Sequence, residues 1–288
     1  MSAPVIGLVA HTGKSGALAM AARLRDEFQK QGAGVRIEAR TARMMGAGEG
    51  ETTRSLAQAC EILVALGGDG TILQVVHEMG EDYKPIFGIN LGSLGFLTCV
   101  SSSAVEQAVE CIVSRRYVKT QRILLELEVR RGDSTIARRF GLNDAVISRG
   151  ALSRLIRLQT WIDGAALTEY NADGLVISTP TGSTAYSLAA GGPILTPDCG
   201  VFAVTPICPH VLTNRSLIFS DASTIAVSPR EDQGEIYVTV DGQDSMAIST
   251  GDMVYIRKAK QCVPLAMLPG VSFFEVLRQK LKWSGTAL

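Results

Sequence analysis

A segment of small and hydroxyl-bearing residues, 179–194, has the residue types in this sequence that best suit ligand binding. It reads TPTGSTAYSLAAGGPI and follows a short apolar run, Gly174 to Ser178. Such residues have little side-chain bulk, so backbone N–H groups and hydroxyls can approach a ligand closely. We expect these donors to bind phosphate or ribose oxygens. The alternative is a tight turn into a helix, in which the serines and threonines serve only as caps.

A glycine-rich turn around Asp69 is a second candidate site. The apolar run Cys60 to Leu66 predicts a strand, Gly67-Gly68-Asp69-Gly70-Thr71 follows it, and residues 72–78 have helical spacing. A strand, a glycine turn and a helix N-terminus together can bind phosphate through free N–H groups. A carboxylate repels phosphate at short range, so we interpret Asp69 as a group that handles a proton or a phosphate-bound metal ion. An N-cap aspartate among permissive glycines would explain one of these glycines but not all of them.

Two further loops resemble nucleotide motifs but fail on spacing. His11-Thr12-Gly13-Lys14-Ser15 suggests a Walker A loop, yet five residues separate Gly7 from Gly13, which is one too many for that motif. The loop follows the first predicted strand, where it could contact an anion or form a simple turn. Gly92 and Gly95 lack the third glycine spacing and the downstream acid of a dinucleotide fingerprint.

The composition describes a globular protein without marked charge. Of 288 residues, 46% are hydrophobic and 19% are charged, and 28 basic residues balance 28 acidic ones. These values argue against disorder and against non-specific binding to nucleic acid. The six cysteines form no Cys-x-x-Cys pair, there are three histidines, and no apolar run reaches membrane-spanning length. We therefore expect no metal cluster, no membrane or nucleic-acid partner, and a reduced, cytoplasmic protein.

The elements that position these segments change in type near residue 117. Before that point strands and helices alternate, which predicts an α/β domain with a parallel sheet. The predicted strands there are Pro4 to Ala10, Val35 to Ala39, Cys60 to Leu66 and Pro85 to Asn90, and the predicted helices include Ala17 to Gln31 and Thr52 to Ala59.

A mostly β domain is predicted after residue 117. Its predicted strands include Ala137 to Ser148, taken as one continuous strand, Gly174 to Ser178 and Ile236 to Val240. Turn signals such as Arg131-Gly132-Asp133 separate strands of this kind. The last segment, Phe273 to Trp283, has the pattern of an amphipathic helix.

Five segments, in this order along the chain, resemble the signatures of the NAD kinase family. The resemblance covers most of the chain. The first segment alone is a weak signal, because phosphofructokinases and lipid kinases have a similar one, whereas the five together are a strong one. They are Gly67 to Thr71, Leu142 to Val146, Asp173 to Pro193, Pro206 to His210 and Asp241 to Gln243.

The resemblance implies that the chain uses ATP to phosphorylate the 2′-hydroxyl on the adenosine ribose of NAD, giving NADP. It implies a nucleotide-phosphate domain, 1–117, to which a C-terminal helical tail, 266–288, returns, and a β-rich NAD-binding domain, 118–265. Mg²⁺ or another divalent cation would arrive with ATP, and copies of the chain would form a homodimer or homotetramer. The alternatives are a lipid or sugar kinase that shares only the GGDGT turn, and a non-catalytic nucleotide sensor.

The resemblance also suggests roles for individual residues. Asp69 is expected to be the catalytic group that takes the hydroxyl proton, with Gly68, Gly70 and Thr71 on the phosphates. The other expected nucleotide contacts are Asn143, Asp144, Arg154, Asn171, Asp173, Thr184, Ala185, Tyr186, Ser187, Leu188, Ala189 and Gln243.

Three positions depart from the residues that the family often carries. Asp144 stands where the family often has Glu. Gln74 and Asn171 stand where it often has a basic residue. A missing cation weakens a contact with phosphate, so these two positions bear on how tightly the nucleotides bind.

Overall fold

The computed structural model describes residues 3–92, 95–98, 100–101, 104–150, 155–211, 213–230 and 235–283. The chain divides into two units, one made of Met1–Gln121 with Val263–Leu288 and the other of Arg122–Cys262. Within the described ranges, no helix is both long enough and apolar enough to cross a membrane.

The helices and strands are numbered in chain order. The helices are α1 (Ala17–Lys30), α2 (Ala39–Met45), α3 (Thr53–Ala59), α4 (Asp69–Met79), α5 (Val105–Val113), α6 (Tyr186–Ala189) and α7 (Phe273–Leu281). The strands are β1 (Val5–Ala10), β2 (Gly34–Ile37), β3 (Ile62–Gly67), β4 (Ile86–Asn90), β5 (Val100–Ser101), β6 (Val118–Arg131), β7 (Ser134–Gly141), β8 (Asp144–Arg149), β9 (Ile156–Ile162), β10 (Ala165–Ala172), β11 (Gly174–Ser178), β12 (Val201–Ile207), β13 (Leu217–Ser220), β14 (Ile225–Pro229), β15 (Ile236–Val240), β16 (Asp244–Ile248) and β17 (Asp252–Met267).

A parallel sheet forms the centre of the first unit. β1 pairs with β2 on one side and β3 on the other, and β3 pairs with β4, all in parallel. Every residue of β3 and β4 is buried, as is usual for central strands of a parallel sheet. Helix α1 contributes Leu24 and Phe28 to the same core. The carboxyl ends of β1, β3 and β4 therefore meet at one edge of the sheet, and the loops that follow them emerge there together.

Two layers of β-strands build the second unit. One is an antiparallel sheet in the order β13-β12-β11-β8-β15-β16, in which β8 lies between β11 and β15. The other contains β9, β10 and β14. One core joins the layers, with Ile147 and Ile177 from the first sheet and Ile156 and Ile225 from the second. Alternate residues of each strand face this core, as in a β-sandwich.

Two local predictions about strands are wrong. The predicted continuous strand Ala137 to Ser148 is two strands, because β7 ends at Gly141 and β8 begins at Asp144. The strand predicted to end at Ala39 ends at Ile37, because the side chain of Glu38 accepts the N–H groups of Arg40 and Thr41 and caps α2. The first of these breaks lies at a candidate site.

Candidate active site

The turn at residues 67–71 is shaped by its glycines and by Thr71. Oγ1 of Thr71 accepts the N–H of Gly68 at 3.3 Å, and Thr71 is buried. A Cβ at Gly67 would lie 2.1 Å from that oxygen, so this glycine is required by the fold itself. A Cβ at Gly70 would meet no described atom within 4 Å. Gly70 therefore leaves open space beside Asp69, through which a ligand can approach the backbone.

The carboxylate of Asp69 is held by the loop that follows β4. Oδ2 accepts the N–H of Phe96 at 2.8 Å, and Oδ1 accepts the N–H of Leu97 at 3.1 Å. A Cβ at Gly95 would lie 1.9 Å from Oδ1, so only glycine lets the loop come this close. A carboxylate has about four acceptor positions. Each oxygen of Asp69 therefore keeps a lone pair for a further proton donor.

The same loop is fixed by contacts of its own. The hydroxyl of Thr98 accepts the N–H of Gly95 at 2.8 Å and the side-chain amide of Asn90 at 3.2 Å. The ring of Phe96 lies 6.3 Å, centroid to centroid, from the ring of Phe273 in α7. The orientation of Asp69 is therefore set by packed groups before any substrate binds, which is the preorganisation that a catalytic group needs.

The loop after β1 brings a basic side chain to this turn. β1 and β3 pair up to Ala10 and Leu66, so residues 11–16 emerge beside residues 67–71. Nζ of Lys14 donates to the carbonyl oxygen of Gly67 at 3.0 Å. The turn thus contains an oriented carboxylate and a nearby ammonium group.

Asp241 organises the other candidate site, in the second unit. Its carboxylate accepts the N–H groups of Leu142, Asn143 and Asp144 at 2.7, 2.7 and 3.0 Å. Asp241 is buried and has φ of 50°, a conformation that few non-glycine residues adopt. These three hydrogen bonds account for the break between β7 and β8, because the N–H groups bind a side chain there.

A second turn is built on this break. The N–H of Thr179 donates to the carbonyl oxygen of Asn143 at 2.9 Å, and its hydroxyl donates to that of Leu142 at 2.5 Å. A Cβ at Gly182 would lie 2.1 Å from the carbonyl oxygen of Asn143. Gly182 is therefore required for the close packing of the 179–182 turn.

An open cleft of about 360 Å³ lies at this point, within the size range of ligand sites. It brings together four of the predicted contacts, Asn143, Asp144, Ala185 and Tyr186. Tyr186 is 47% exposed, which leaves a ring face free to stack on a base. The lining residues are Asn143, Asp144, Val146, Ser148, Ala185, Tyr186, Thr239, Asp241 and Gly242.

Asp144 is one of two buried carboxyl groups that line the cleft, with 4% of its surface exposed. Burial, and to a lesser extent the neighbouring Asp241 carboxylate, raise the pKa of Asp144 to about 7. A protonated carboxyl donates one hydrogen bond, whereas the ionised form only accepts. Asp144 can therefore present either kind of group to a ligand, according to pH.

Several predicted contacts are engaged elsewhere within their own unit. Oδ1 of Asp173 accepts Nε of Arg149 in an ion pair at 2.6 Å. Ser187 is fully buried, with its hydroxyl oxygen 3.4 Å from that of Thr205. The hydroxyl of Thr184 donates to a backbone carbonyl oxygen at 3.3 Å. The hydroxyls of Ser187 and Thr184 thus hold their own segment together.

The remaining predicted contacts are not among the residues that line the cleft. Asn171 lies in β10, where its carbonyl oxygen accepts the N–H of His210 at 2.9 Å. Arg154 lies outside the described residues. Leu188 and Ala189 lie in α6, and Gln243 follows Gly242 in the exposed turn between β15 and β16.

Sequence reasoning did not identify Asp241, Arg149 or the backbone donors of Phe96 and Leu97 as site groups. Asp241 belongs to a segment that resembled the family, but an Asp-Gly pair after a strand indicates only a turn. Arg149 is the charged last residue of an apolar strand, and a charged residue at a strand end was a signal that could have identified it as a site group. Backbone N–H groups carry no sequence signal, although Gly95 beside them marks a close approach.

Comparison with known proteins gives the family. The family model described as the ATP-NAD kinase N-terminal domain matches residues 6–117, and the ATP-NAD kinase C-terminal domain matches residues 142–268. The chain belongs to the NAD kinase family. It is 42% identical to the NAD kinase of Geobacter sulfurreducens over 247 residues, 86% of this chain and 87% of that protein. It is 38% identical to the NAD kinase of Solibacter usitatus over 277 residues, 96% of each chain.

Membership of the NAD kinase family confirms the predicted activity. The chain is an enzyme that uses ATP to phosphorylate NAD, giving NADP. The relatives match across both units of the chain, so the lipid-kinase, sugar-kinase and nucleotide-sensor alternatives are not favoured.

Solved structures of NAD and NADH kinases share the fold. The structure of yeast NADH kinase complexed with NADH has a TM-score of 0.89 at 24% identity, covering 100% of this chain and 90% of that one. The NAD kinase of Archaeoglobus fulgidus in complex with ATP has a TM-score of 0.77 at 22% identity, covering 98% and 100%. The predicted fold class is confirmed, with an α/β N-terminal part, a β-rich C-terminal part and a C-terminal helix.

Proposed function

We propose that Asp69 accepts the proton of the NAD hydroxyl as it is phosphorylated, and that the cleft around Asn143 and Asp144 binds the dinucleotide. The observation that carries this proposal is the Asp69 carboxylate, fixed by the N–H groups of Phe96 and Leu97 at a glycine turn. Phosphoryl transfer depends mainly on alignment and charge neutralisation, with some help for the departing proton. A fixed carboxylate with unused lone pairs supplies that help.

The proposed reaction transfers the γ-phosphoryl group of ATP to the ribose 2′-oxygen of NAD. The 2′-oxygen forms a bond to the γ-phosphorus of ATP, the bond from that phosphorus to the bridging oxygen breaks, and ADP leaves. The proton of the 2′-hydroxyl passes to Asp69. In this proposal Gly68, Gly70 and Thr71 lie beside the phosphates at the N-terminus of α4, where the positive end of the helix dipole attracts anions.

The dinucleotide contacts are assigned by chemistry. The amide of Asn143 can both donate and accept hydrogen bonds, which suits ribose hydroxyls and base edges. The exposed ring of Tyr186 offers a stacking surface, and the small side chain of Ala185 leaves room beside it. The further predicted contacts remain part of the proposal, as do the domain roles, nucleotide phosphates for 1–117 with 266–288 and NAD for 118–265.

The divalent cation is proposed to enter with ATP as its complex, as Mg²⁺ or a similar ion. Hard cations take oxygen ligands, and in its complex with ATP the ion is held mainly by phosphate oxygens and water. Activity lost in EDTA and restored by added Mg²⁺ would support this, whereas full activity in EDTA would contradict it.

We also propose how the chain assembles and where it is located. From the resemblance to the NAD kinase family we propose a homodimer or homotetramer, which light scattering at several concentrations would test. A cytoplasmic location is supported by the free thiols of the described cysteines, Cys60, Cys111, Cys199, Cys208 and Cys262. Activity should therefore be unchanged by dithiothreitol.

The test of the catalytic assignment is Asp69→Asn, with the exposed Asp82→Asn as the matched control. Removing the proton acceptor should lower kcat by roughly 10²- to 10⁴-fold, while the affinity for NAD changes far less. Asn keeps only one acceptor oxygen for Phe96 and Leu97, so a small fall in melting temperature is also expected. A kcat close to that of Asp82→Asn would sink the assignment of Asp69.

A further inference from the structure

We propose that Lys14 binds the triphosphate of ATP at the turn 67–71. The inference rests on the proposed function, because it takes this turn as the place where the nucleotide phosphates bind.

Lys14 lies in a loop beside the turn 67–71. Loop 11–16 follows β1 at the sheet edge where the turn follows β3, because the two strands pair in parallel up to Ala10 and Leu66. Open α/β sheets bind ligands at this edge. Nζ of Lys14 reaches the carbonyl oxygen of Gly67 at 3.0 Å. A Cβ at Gly68 would lie 2.8 Å from Nζ, so the bare backbone of Gly68 makes room for the ammonium group.

The side chain of Lys14 has hydrogen-bond donors that its own loop does not use. An ammonium group has three donors and no acceptor, and one donor of Lys14 is used by Gly67. Within the described part of the chain, no carboxylate forms an ion pair with Lys14. Two donors and the full positive charge are therefore available to phosphate oxygens. Charge-assisted hydrogen bonds of this kind are about twice as strong as neutral ones.

Gln74, in α4, brings no positive charge to the turn. Nε2 of Gln74 donates to Glu78 at 3.0 Å. The same carboxylate also accepts Arg40 and Thr53. Gln74 is therefore a neutral side chain that belongs to a network around Glu78. The loop after β1 does bring a positive charge to this turn, in the side chain of Lys14.

Lys14 also changes the balance of charge at the turn. Asp69 repels the phosphates that the reaction must bring close to it, and Lys14 offsets that repulsion from the neighbouring loop. The Walker-like spacing of residues 11–15 fails as a motif, yet its lysine still lies at a phosphate-binding turn. Its chemistry is that of a lysine acting on phosphate as a point charge.

The experiment compares Lys14→Met, Lys14→Arg and the control Lys30→Met, whose lysine pairs only with Glu27 in the described structure and is exposed. Dissociation constants of ATP, ADP and adenosine are measured by calorimetry in the absence of NAD. Lys14→Met should weaken ATP roughly 10- to 100-fold, weaken ADP less, and leave adenosine unchanged. Lys14→Arg should recover most of the loss, and Lys30→Met should match the wild-type chain.

The proposal is overturned if Lys14→Met binds ATP as the wild-type chain does, or if it weakens adenosine as much as ATP. A steady-state assay adds a readout that a merely structural role would not produce: KM for ATP rises while KM for NAD stays within about twofold. If Lys14→Met unfolds, the ATP affinity of Lys14→Arg decides, since loss of ATP binding in that folded, charged variant also overturns the proposal.

A failure of the proposed function can be distinguished from a failure of the proposal for Lys14. The wild-type chain incubated with NAD and ATP–Mg²⁺, and Asp69→Asn beside it, report on the chemistry without reference to Lys14. A graded loss of ATP and ADP binding in Lys14→Met supports the lysine site even if Asp69 proves dispensable. If Lys14→Met binds ATP normally while Asp69→Asn is inactive, the proposal for Lys14 is overturned and the proposed function still holds.

Discussion

In the turn at 67–71 a carboxylate is held by donors, whereas in the cleft of the second unit a carboxyl group is buried beside another carboxylate. Asp69 is partly exposed and accepts two backbone N–H groups. Asp144 is 4% exposed, and its neighbour Asp241 takes the N–H groups of the strand break. The first arrangement fixes the direction of a carboxylate. The second raises the pKa of a carboxyl group to near neutral pH, so the two groups are suited to different tasks.

The largest effect that this comparison predicts is on the pH dependence of stability. The pKa of Asp144 rises from its ordinary 3.8 to about 7 on folding. Below the lower value both states hold the proton. Between the two values the unfolded chain releases it while the folded chain keeps it, so the free energy of unfolding falls as pH rises, and it levels off above the upper value. At 1.36 kcal/mol per pKa unit, the loss approaches about 4 kcal/mol.

The variant Asp144→Asn should abolish this loss, because the amide is neutral at every pH. It should be more stable than the wild-type chain at pH 8 by up to about 4 kcal/mol, and similar to it at pH 4. Urea unfolding at both pH values measures the difference, with the exposed Asp133→Asn as the control. A stability gap of the same size at both pH values would contradict the buried, protonatable Asp144 and would erase the contrast with Asp69.

A second prediction tests the fixed direction of Asp69. The variant Gly95→Ala places a methyl group 1.9 Å from Oδ1 of Asp69, so either the loop or the carboxylate must move. A displacement of about 1 Å can cost roughly 10²-fold in rate, and we expect kcat to fall by about that factor. The control is Gly92→Ala in the same loop, where the nearest atom is Asn90 Oδ1 at 3.9 Å. Equal rates for the two variants would show that the direction of Asp69 does not matter.

The glycine turns and the alternating elements were predictable because they depend on local sequence. A buried apolar run that stops at glycines has few other interpretations, so both the strand and the helix were predicted. Their bounds differ, because β3 begins at Ile62 rather than Cys60, and α4 begins at Asp69, three residues before the predicted helical segment. The second site was predictable only as a set of residue types. Its geometry depends on Asp241, nearly a hundred residues further along the chain than Asn143, and no local pattern reports such a contact.

The missed break in the predicted strand Ala137 to Ser148 shows the same limit. The residues around Leu142 and Asn143 are compatible with a continuing strand, and the ladder is interrupted by an acceptor that comes from another hairpin. The hydroxyl-rich segment 179–194 gives the opposite lesson. Its composition suited ligand binding, yet the hydroxyls of Thr179, Ser183 and Ser187 form hydrogen bonds within the protein. Small polar residues also suit tightly packed turns.

A third prediction concerns the cleft. The variant Ala185→Leu should fill space beside Tyr186 and weaken NAD binding by about 10- to 100-fold, since overpacking of a filled site costs roughly 1–3 kcal/mol. The melting temperature should change little, because Ala185 borders open space in the cleft. Calorimetric titration with NAD gives the affinity, and Ala166→Leu at an exposed position of β10 is the control. Gly182→Ala should instead destabilise the fold, because its Cβ meets the backbone of Asn143.

The smallest predicted effect separates two of the three glycines in the turn at 67–71, Gly67 and Gly70. The variant Gly67→Ala should unfold more easily, because its Cβ would lie 2.1 Å from the hydroxyl of Thr71. The variant Gly70→Ala has no such clash with any described atom, and removing a glycine from the first turn of α4 should raise stability by about 0.4–1 kcal/mol. Its KM for ATP or NAD should nevertheless rise severalfold if a substrate approaches the bare backbone there. Thermal unfolding and steady-state kinetics measure the stability and the KM values of both variants. A Gly70→Ala enzyme that is more stable and fully active would mean that no ligand approaches through this opening. A substrate would then have to reach Asp69 from another side.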